Sequence, residues 1–391
     1  MLDLERQYQP LHGELMAALE HVLETRQFIL GEQVAAFEKA AQEHLGVSHA
    51  VGCSSGTDAL WLALAGAGIG PGDAVITTPF SFFASVSAIL RAGATPVLAD
   101  IDPVSFNLSP VAVESVLEGL KIGSPKTESG GGQVRAILPV HLYGGPAEWG
   151  GFARLAKERG LLLIEDAAQA WGAEWRSKRA GGLGDAAAFS FYPTKNLSAA
   201  GEAGMVSTNS DAVAERVRML RQHGMRQRYL HDEVGWNTRM DGFQGAVLQV
   251  KLKYVDGWNE ARRRLAARYH ALFAKAGLAE AGPYPAHGVV LPRETPGTRH
   301  VWHQYVIRVR RRDALRAFLE ERRIGSEIFY PVPLHLQTAL QGTGFAGLGY
   351  AEGDFPEAER AAQEVLALPM FAELREDEQE TVVGAIAESL S

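Results

Sequence analysis

The chain has 391 residues, which at about 150 per domain corresponds to two or three domains. Hydrophobic residues make up 46% and charged residues 21%, a balance that excludes disorder. Lys and Arg total 38 against 46 Asp and Glu, so the net charge is −8 and nucleic acid is a poor partner; the single cysteine excludes a disulfide framework and a multi-thiolate metal site.

The opening residues, Met1 to Arg6, lack the basic and apolar regions of a secretion signal, and no window holds 18 uninterrupted apolar residues. A cytoplasmic protein with no membrane contact is expected. In the first half, apolar strand-like runs alternate with helical ones. Strands are expected at Ala74–Thr78, Ala94–Asp100, Ala136–Val140, Leu161–Glu165, Ala186–Phe191 and Gly204–Ser207, with helices at Ala84–Ala92 and Glu148–Arg159. Continuous apolar strands separated by helices indicate an α/β unit, with a mostly parallel sheet of seven-stranded type covered on both faces. Gly119–Gln133 reads as a polar loop.

From Asp241 to Lys275 apolar residues recur at three- or four-residue steps, which predicts one long helix bridging two domains. Gly277–Pro296, rich in Pro and Gly, reads as a connector. The last quarter predicts strands at Tyr305–Val309 and Gly325–Tyr330 and helices at Asp313–Arg322, Pro356–Leu366 and Glu376–Leu390. This gives a large domain over 1–248 and a smaller α+β domain over 249–391.

Several chemistries drop out. There is no G-x-x-x-x-G-K-[ST] and no H-E-x-x-H, and Gly66, Gly68, Gly70 and Gly72 miss the G-x-G-x-x-G spacing because Pro71 fills a required slot. His300 and His303 lack an acidic or Cys partner at metal-ligand spacing, so no metal is expected. Cys53 reads as a small core residue. Three other features converge. Leu161–Glu165 leads into Asp166, a carboxylate beyond the carboxyl end of a strand, where an open α/β sheet places its ligands. Lys195 sits in a Pro-containing turn after the next strand, and Ser54-Ser55-Gly56-Thr57 precedes a helical run whose N–H groups can cradle a phosphate. Singly, each has an ordinary explanation: a helix cap, a solvated lysine, an N-cap. Together they supply what pyridoxal phosphate requires: an amine for its aldehyde, an anion for its ring nitrogen and a hole for its phosphate.

Eight motifs make the resemblance specific. They include Phe28-Ile29-Leu30-Gly31, Ser55-Gly56-Thr57-Asp58-Ala59-Leu60, Pro139-Val140-His141-Leu142-Tyr143-Gly144, Glu165-Asp166-Ala167-Ala168-Gln169, Ser190-Phe191-Tyr192-Pro193-Thr194-Lys195-Asn196, Asn237-x-Arg239-Met240-Asp241 and Tyr330-Pro331-Val332-Pro333-Leu334-His335. In these, nearly end to end, the chain resembles the DegT/DnrJ/EryC1/StrS family of pyridoxal-phosphate sugar aminotransferases, of the aspartate-aminotransferase fold (fold type I). The resemblance implies that Lys195 joins the cofactor and moves the proton, and that Asp166 pairs with the ring nitrogen. It sets Gln169 by the ring hydroxyl and Phe83 on the ring face, with Phe82 as the competitor. Gly56, Thr57 and Ser190 would hold the phosphate, and Asn237 would reach the phosphate of a neighbouring subunit, making a homodimer with shared sites. Tyr330 and His335 would lie near the substrate, and His141 either there or in a structural role. The clusters Arg262–Arg264 and Arg308–Arg312 read as solvated faces, one of which could meet a diphosphate.

The implied reaction moves an amino group from L-glutamate, yielding 2-oxoglutarate, to a keto group of a nucleotide-linked deoxysugar. Thr238, where 4-keto members tend to carry an aromatic, favours C3. Two alternatives stay open: a sugar dehydratase, which in this family replaces the lysine by histidine, and a non-catalytic protein that senses the cofactor or a sugar nucleotide.

Overall fold

The computed structural model describes residues 2–119, 132–341 and 349–391, so most of the expected Gly119–Gln133 loop lies outside the described residues. Seven strands form the main sheet: β1 (His49–Cys53), β2 (Asp73–Thr77), β3 (Thr95–Leu98), β4 (Gln133–Ile137), β5 (Leu162–Asp166), β6 (Ala186–Ser190) and β7 (Gly204–Thr208). Their order is β1-β7-β6-β5-β4-β2-β3. The run from β6 to β3 is parallel, and only β7 is antiparallel to its neighbours. Apart from the first three residues of β4, the strands are buried along nearly their whole length, as a sheet with helices on both faces requires. Strand β1 was not anticipated: His49-Ala50-Val51-Gly52-Cys53 has little β-branched character, and its pairing with β7 makes it a strand.

The long helix expected over Asp241–Lys275 is two, Gly242–Leu252 and Val255–Lys275. At the break Lys253 and Tyr254 bond back three residues, to Val250 and Lys251, so the ladder tightens and restarts. The expected boundary at residue 248 lies inside the first of these helices.

The connector region contains two short strands, β8 (Ala279–Glu280) and β9 (Val289–Val290), which with β10 (Tyr305–Arg308) and β11 (Val365–Leu368) make a four-stranded sheet. Two expectations fail here. Helix Pro356–Glu364 stops before the run Val365-Leu366-Ala367-Leu368, which pairs with β10, and the segment 325–330 makes only a single bridge, Glu327 with Ala367. One continuous apolar cluster includes Leu60, Val75 and Ile164 around the main sheet and Tyr269, Ile307, Leu366 and Ile386 around the smaller one. The chain ends also meet: the Arg6 guanidinium donates to both carboxylate oxygens of Glu378, at 2.9 and 2.8 Å. Among the described residues no helix is long and apolar enough to cross a membrane.

Candidate active site

A cavity of about 850 Å³ opens at the carboxyl ends of the parallel strands, where an open α/β sheet binds ligands. Its walls include Gly56, Thr57, Asp166, Gln169, Ser190, Lys195 and Tyr330, so residues from four separate stretches of the chain meet at one place.

Asp166 ends β5 and is buried. Ser85 donates to its carboxylate at 2.8 Å and is itself bonded to Ser81 at 2.9 Å, while the Ala168 N–H donates to the other oxygen at 3.2 Å. Burial pushes this carboxyl above its ordinary value, and the two donors and the Lys195 charge pull the other way. Lys195 follows β6 in a tight turn, its own N–H bonded to the Tyr192 carbonyl. Burial lowers its ammonium to about 8, against the pull of Asp166, so near neutral pH a usable fraction is the nucleophilic free amine.

Helix α1 (Gly56–Gly66) begins at the cavity. Ser55 caps it by accepting from the Asp58 N–H, and Asp58 in turn accepts from the hydroxyls of Ser54 and Ser55 and from Arg91. The first N–H groups of α1 have no acceptor within the helix, the condition for binding an anion. Position 56 must be glycine: a Cβ there would lie 2.5 Å from the Ser190 Cβ and 2.9 Å from its hydroxyl. Backbone and hydroxyl are thus pressed together into a cradle without side-chain bulk. A buried carboxylate, a depressed amine and this cradle around one cavity fit pyridoxal 5′-phosphate.

Gln169 is oriented by accepting from the Tyr143 N–H at 2.6 Å and donating to the Tyr330 hydroxyl at 3.2 Å. The Tyr143 hydroxyl donates to the Phe329 carbonyl, which fixes the segment carrying Tyr330 over the cavity.

The other expected residues divide between the cavity and elsewhere. Phe82 lines the cavity, 6.3 Å from the Tyr330 ring, whereas Phe83 packs against the core at the start of helix Ala84–Arg91. His141 is fully buried: its Nδ1 accepts from the Ala147 N–H and its Nε2 donates to Glu165. Glu165 also accepts from the N–H groups of Gly181, Leu183 and Gly184. The pair buttresses that loop, with neither ring nitrogen left for substrate. His335 is buried too, bonded to Glu359 at 2.9 Å and packed on Phe355, outside the cavity wall. Asn237 is exposed, outside its own chain's cavity, and accepts from Arg239. The arginine clusters are not simply solvated faces. Arg262 is buried and donates to the carbonyls of Trp302, His303 and Met370, and Arg308 is buried against Glu364. Cys53 is buried, its thiol pushed up by desolvation.

Sequence reasoning missed His303, which lines the cavity. The Asn196 amide donates to Asn259 and Val301, so its oxygen accepts from His303 Nδ1–H at 3.1 Å and leaves Nε2 unprotonated. Burial, then the Lys195 charge, hold this imidazole well below its usual pKa, and it stays neutral. No local pattern around His303 carried that information. Ser85, which bonds Asp166, and Glu202, in the cavity wall, were equally silent.

Comparison with known proteins agrees with this geometry. The family model of the DegT/DnrJ/EryC1/StrS aminotransferase family matches residues 10–387. A "pleiotropic regulatory protein" of Geobacillus stearothermophilus is 47% identical over 99% of this chain and 97% of its own length. A dTDP-3-amino-3,4,6-trideoxy-alpha-D-glucose transaminase of Streptomyces venezuelae is 42% identical over 99% of this chain and 95% of its own. The crystal structure of S. venezuelae DesV in complex with a ketimine intermediate superposes with a TM-score of 0.89 and 41% identity, covering 100% of this chain and 97% of that one. With the family's match running nearly end to end and the cofactor's three requirements met in one cavity, the chain belongs to the DegT/DnrJ/EryC1/StrS aminotransferase family and is a pyridoxal-phosphate-dependent aminotransferase of fold type I.

Proposed function

We propose that the protein transfers the amino group of L-glutamate to the C3 keto group of a nucleotide-linked deoxysugar, in the cytoplasm, as a homodimer. The observation that carries the reading is the convergence of Lys195, Asp166 and the Gly56–Ser190 cradle on one cavity large enough for cofactor and sugar together. The name of the S. venezuelae relative, a 3-amino-sugar transaminase, supports the C3 position.

Each residue has a definite task. The cofactor, when bound, supplies the electron sink for the carbon that gains or loses the amino group. Lys195, with its lowered pKa, gives and takes the proton at that carbon. Asp166, fixed by Ser85, places negative charge where a protonated ring nitrogen would be held. Gly56, Thr57 and Ser190 would hold the cofactor's phosphate, and Gln169, Phe82 and Tyr330 would line the ring and substrate side of the cavity.

A regulatory reading finds support in the name of the Geobacillus relative. The intact set of Lys195, Asp166 and Ser190 favours a working enzyme, and a lysine rather than a histidine at 195 favours transamination over dehydration. The test incubates the cofactor-loaded protein with L-glutamate and 3-keto and 4-keto nucleotide sugars, with Lys195→Ala as control. Amination of a 3-keto sugar that Lys195→Ala abolishes is expected. Amination of 4-keto sugars alone overturns the C3 reading, and no amination of any sugar overturns the proposal.

A further inference from the structure

Lys251 is fully buried on helix Gly242–Leu252, outside the cavity wall, and no step of the reaction uses it. Its ammonium donates to the Ser198 hydroxyl and, at 3.3 Å, to the Tyr8 hydroxyl, and it lies 4.5 Å from the Tyr8 ring centroid and 5.9 Å from that of Trp258. Ser198 is three residues beyond Lys195 on the same turn. The Tyr8 hydroxyl donates to the Ala199 carbonyl at 3.2 Å, and Gln244, on the Lys251 helix, accepts from the Ala200 N–H at 2.9 Å. The back of the reactive turn is therefore gripped at three successive residues, and Lys251 is the one ion in the grip.

We propose that Lys251 is a positioning residue for Lys195: its ammonium locks Ser198 and Tyr8 together and so sets the placement of the reactive amine at the cavity floor. This rests on the reading of Lys195 given above. A charge in such a place is costly to the fold. Burial lowers Lys251 from 10.5 to about 7, and the titratable groups facing it are Tyr8, from the N-terminal helix, and Glu373, from the loop before the last helix. The sign follows. With the folded-state value depressed, the unfolded chain binds more protons between pH 7 and 10.5, so the cost is full below pH 7 and fades as pH rises toward 10.5. An interaction that weakens the fold while ordering the reactive turn has the character of a stability–function trade-off.

The test compares Lys251→Met and Ser198→Ala with wild type, each as apoprotein and loaded with pyridoxal phosphate. Lys251→Met apoprotein is expected to melt above wild type below pH 7, with the difference shrinking toward pH 10. Loaded, it is expected to show a shifted pH titration of the cofactor's visible band and a single-turnover rate with L-glutamate lowered about tenfold. Ser198→Ala should lower that rate without the gain in melting temperature, and the double variant should be no slower than the slower single. A melting temperature lowered by Lys251→Met, or a band titration and rate unchanged in both single variants, overturns the proposal. Lys195→Ala separates it from the reading beneath. If that variant keeps the borohydride-fixable band, the assignment of Lys195 falls; if it loses the band while Lys251→Met behaves as wild type, only the present inference falls.

Discussion

Two buried carboxylates one residue apart, Glu165 and Asp166, differ in what surrounds each. Glu165 is saturated: three backbone N–H groups and His141 bond to it. Asp166 holds only Ser85 and one N–H, so capacity remains toward the cavity. Asp166→Asn should keep the fold and cost the loaded enzyme about 100-fold in turnover, the equivalent of one charge-assisted bond near 3 kcal/mol; near-normal turnover would give the ring nitrogen another partner. Glu165→Gln should do the reverse. It replaces an acceptor by a donor facing donors, and should destabilise the protein by about 2–3 kcal/mol in denaturant titrations while leaving most of the turnover of the folded fraction. At this scale the sequence was partly readable. Asp166 and Lys195 announce themselves because each follows an apolar strand. Phe82 and Phe83 are neighbours in a turn, and only the start of the next helix decides which faces the cavity. His141 and His335 sit in motifs beside functional residues, and their burial is a tertiary property that no local pattern reports.

At the level of elements, most of the parallel strands were visible as apolar runs because both faces are buried, and their ends located the cavity; β4 begins three residues earlier than its apolar run, at Gln133-Val134-Arg135, because it pairs with β2 there. Where apolar spacing suits both periods, prediction failed. Ala358, Ala361, Ala362, Val365 and Leu366 continue a helical stripe, yet the last two belong to β11 because Tyr305–Arg308 offers them a ladder. Helix α1 illustrates the opposite case, in which the cap, the glycine and the helical run all agree. Gly56→Ala tests how close that cradle is. The added methyl would press into Ser190, an overpacking of about 1–3 kcal/mol at the site proposed to hold the phosphate. Cofactor affinity, titrated by the visible band on apoprotein, should weaken about tenfold or more while α1 itself stays folded. Unchanged affinity would move the phosphate away from α1.

The whole molecule raises the question of what completes the site. Asn237 lies on the surface, with Trp236, Val234, Leu230 and Tyr229 exposed beside it. If it serves a second copy, Lys195→Ala and Asn237→Asp carry lesions in opposite halves of a shared site. Mixed under conditions of subunit exchange, the two inactive variants should recover about a quarter of wild-type activity, because half of the dimers are hybrids and each hybrid has one sound site. Exchange without recovered activity would assign Asn237 to its own subunit. The Arg6–Glu378 pair makes a second prediction. Its hydrogen bond with Arg6, helped by the Arg375 N–H, holds the Glu378 carboxyl down to about 2. A depressed acid stabilises the fold above its ordinary value of 4.5 and loses that contribution as pH falls toward 2. Arg6→Ala should therefore melt below wild type at pH 7, with the two curves converging below pH 4. A constant difference across that range would mean that packing, not charge, sets the effect.

That same pair has a consequence for synthesis. Its partners are 372 residues apart, so at about 5–20 residues per second Glu378 leaves the ribosome roughly 20–75 s after Arg6. Through that interval the first helix, and with it Tyr8, lacks its anchor to the final helix. The main sheet can form meanwhile, since its strands all lie before residue 209. The nascent protein would thus pass through a stage in which the sheet that carries Asp166 is in place while the helix that carries Tyr8 is not yet tied to the last one.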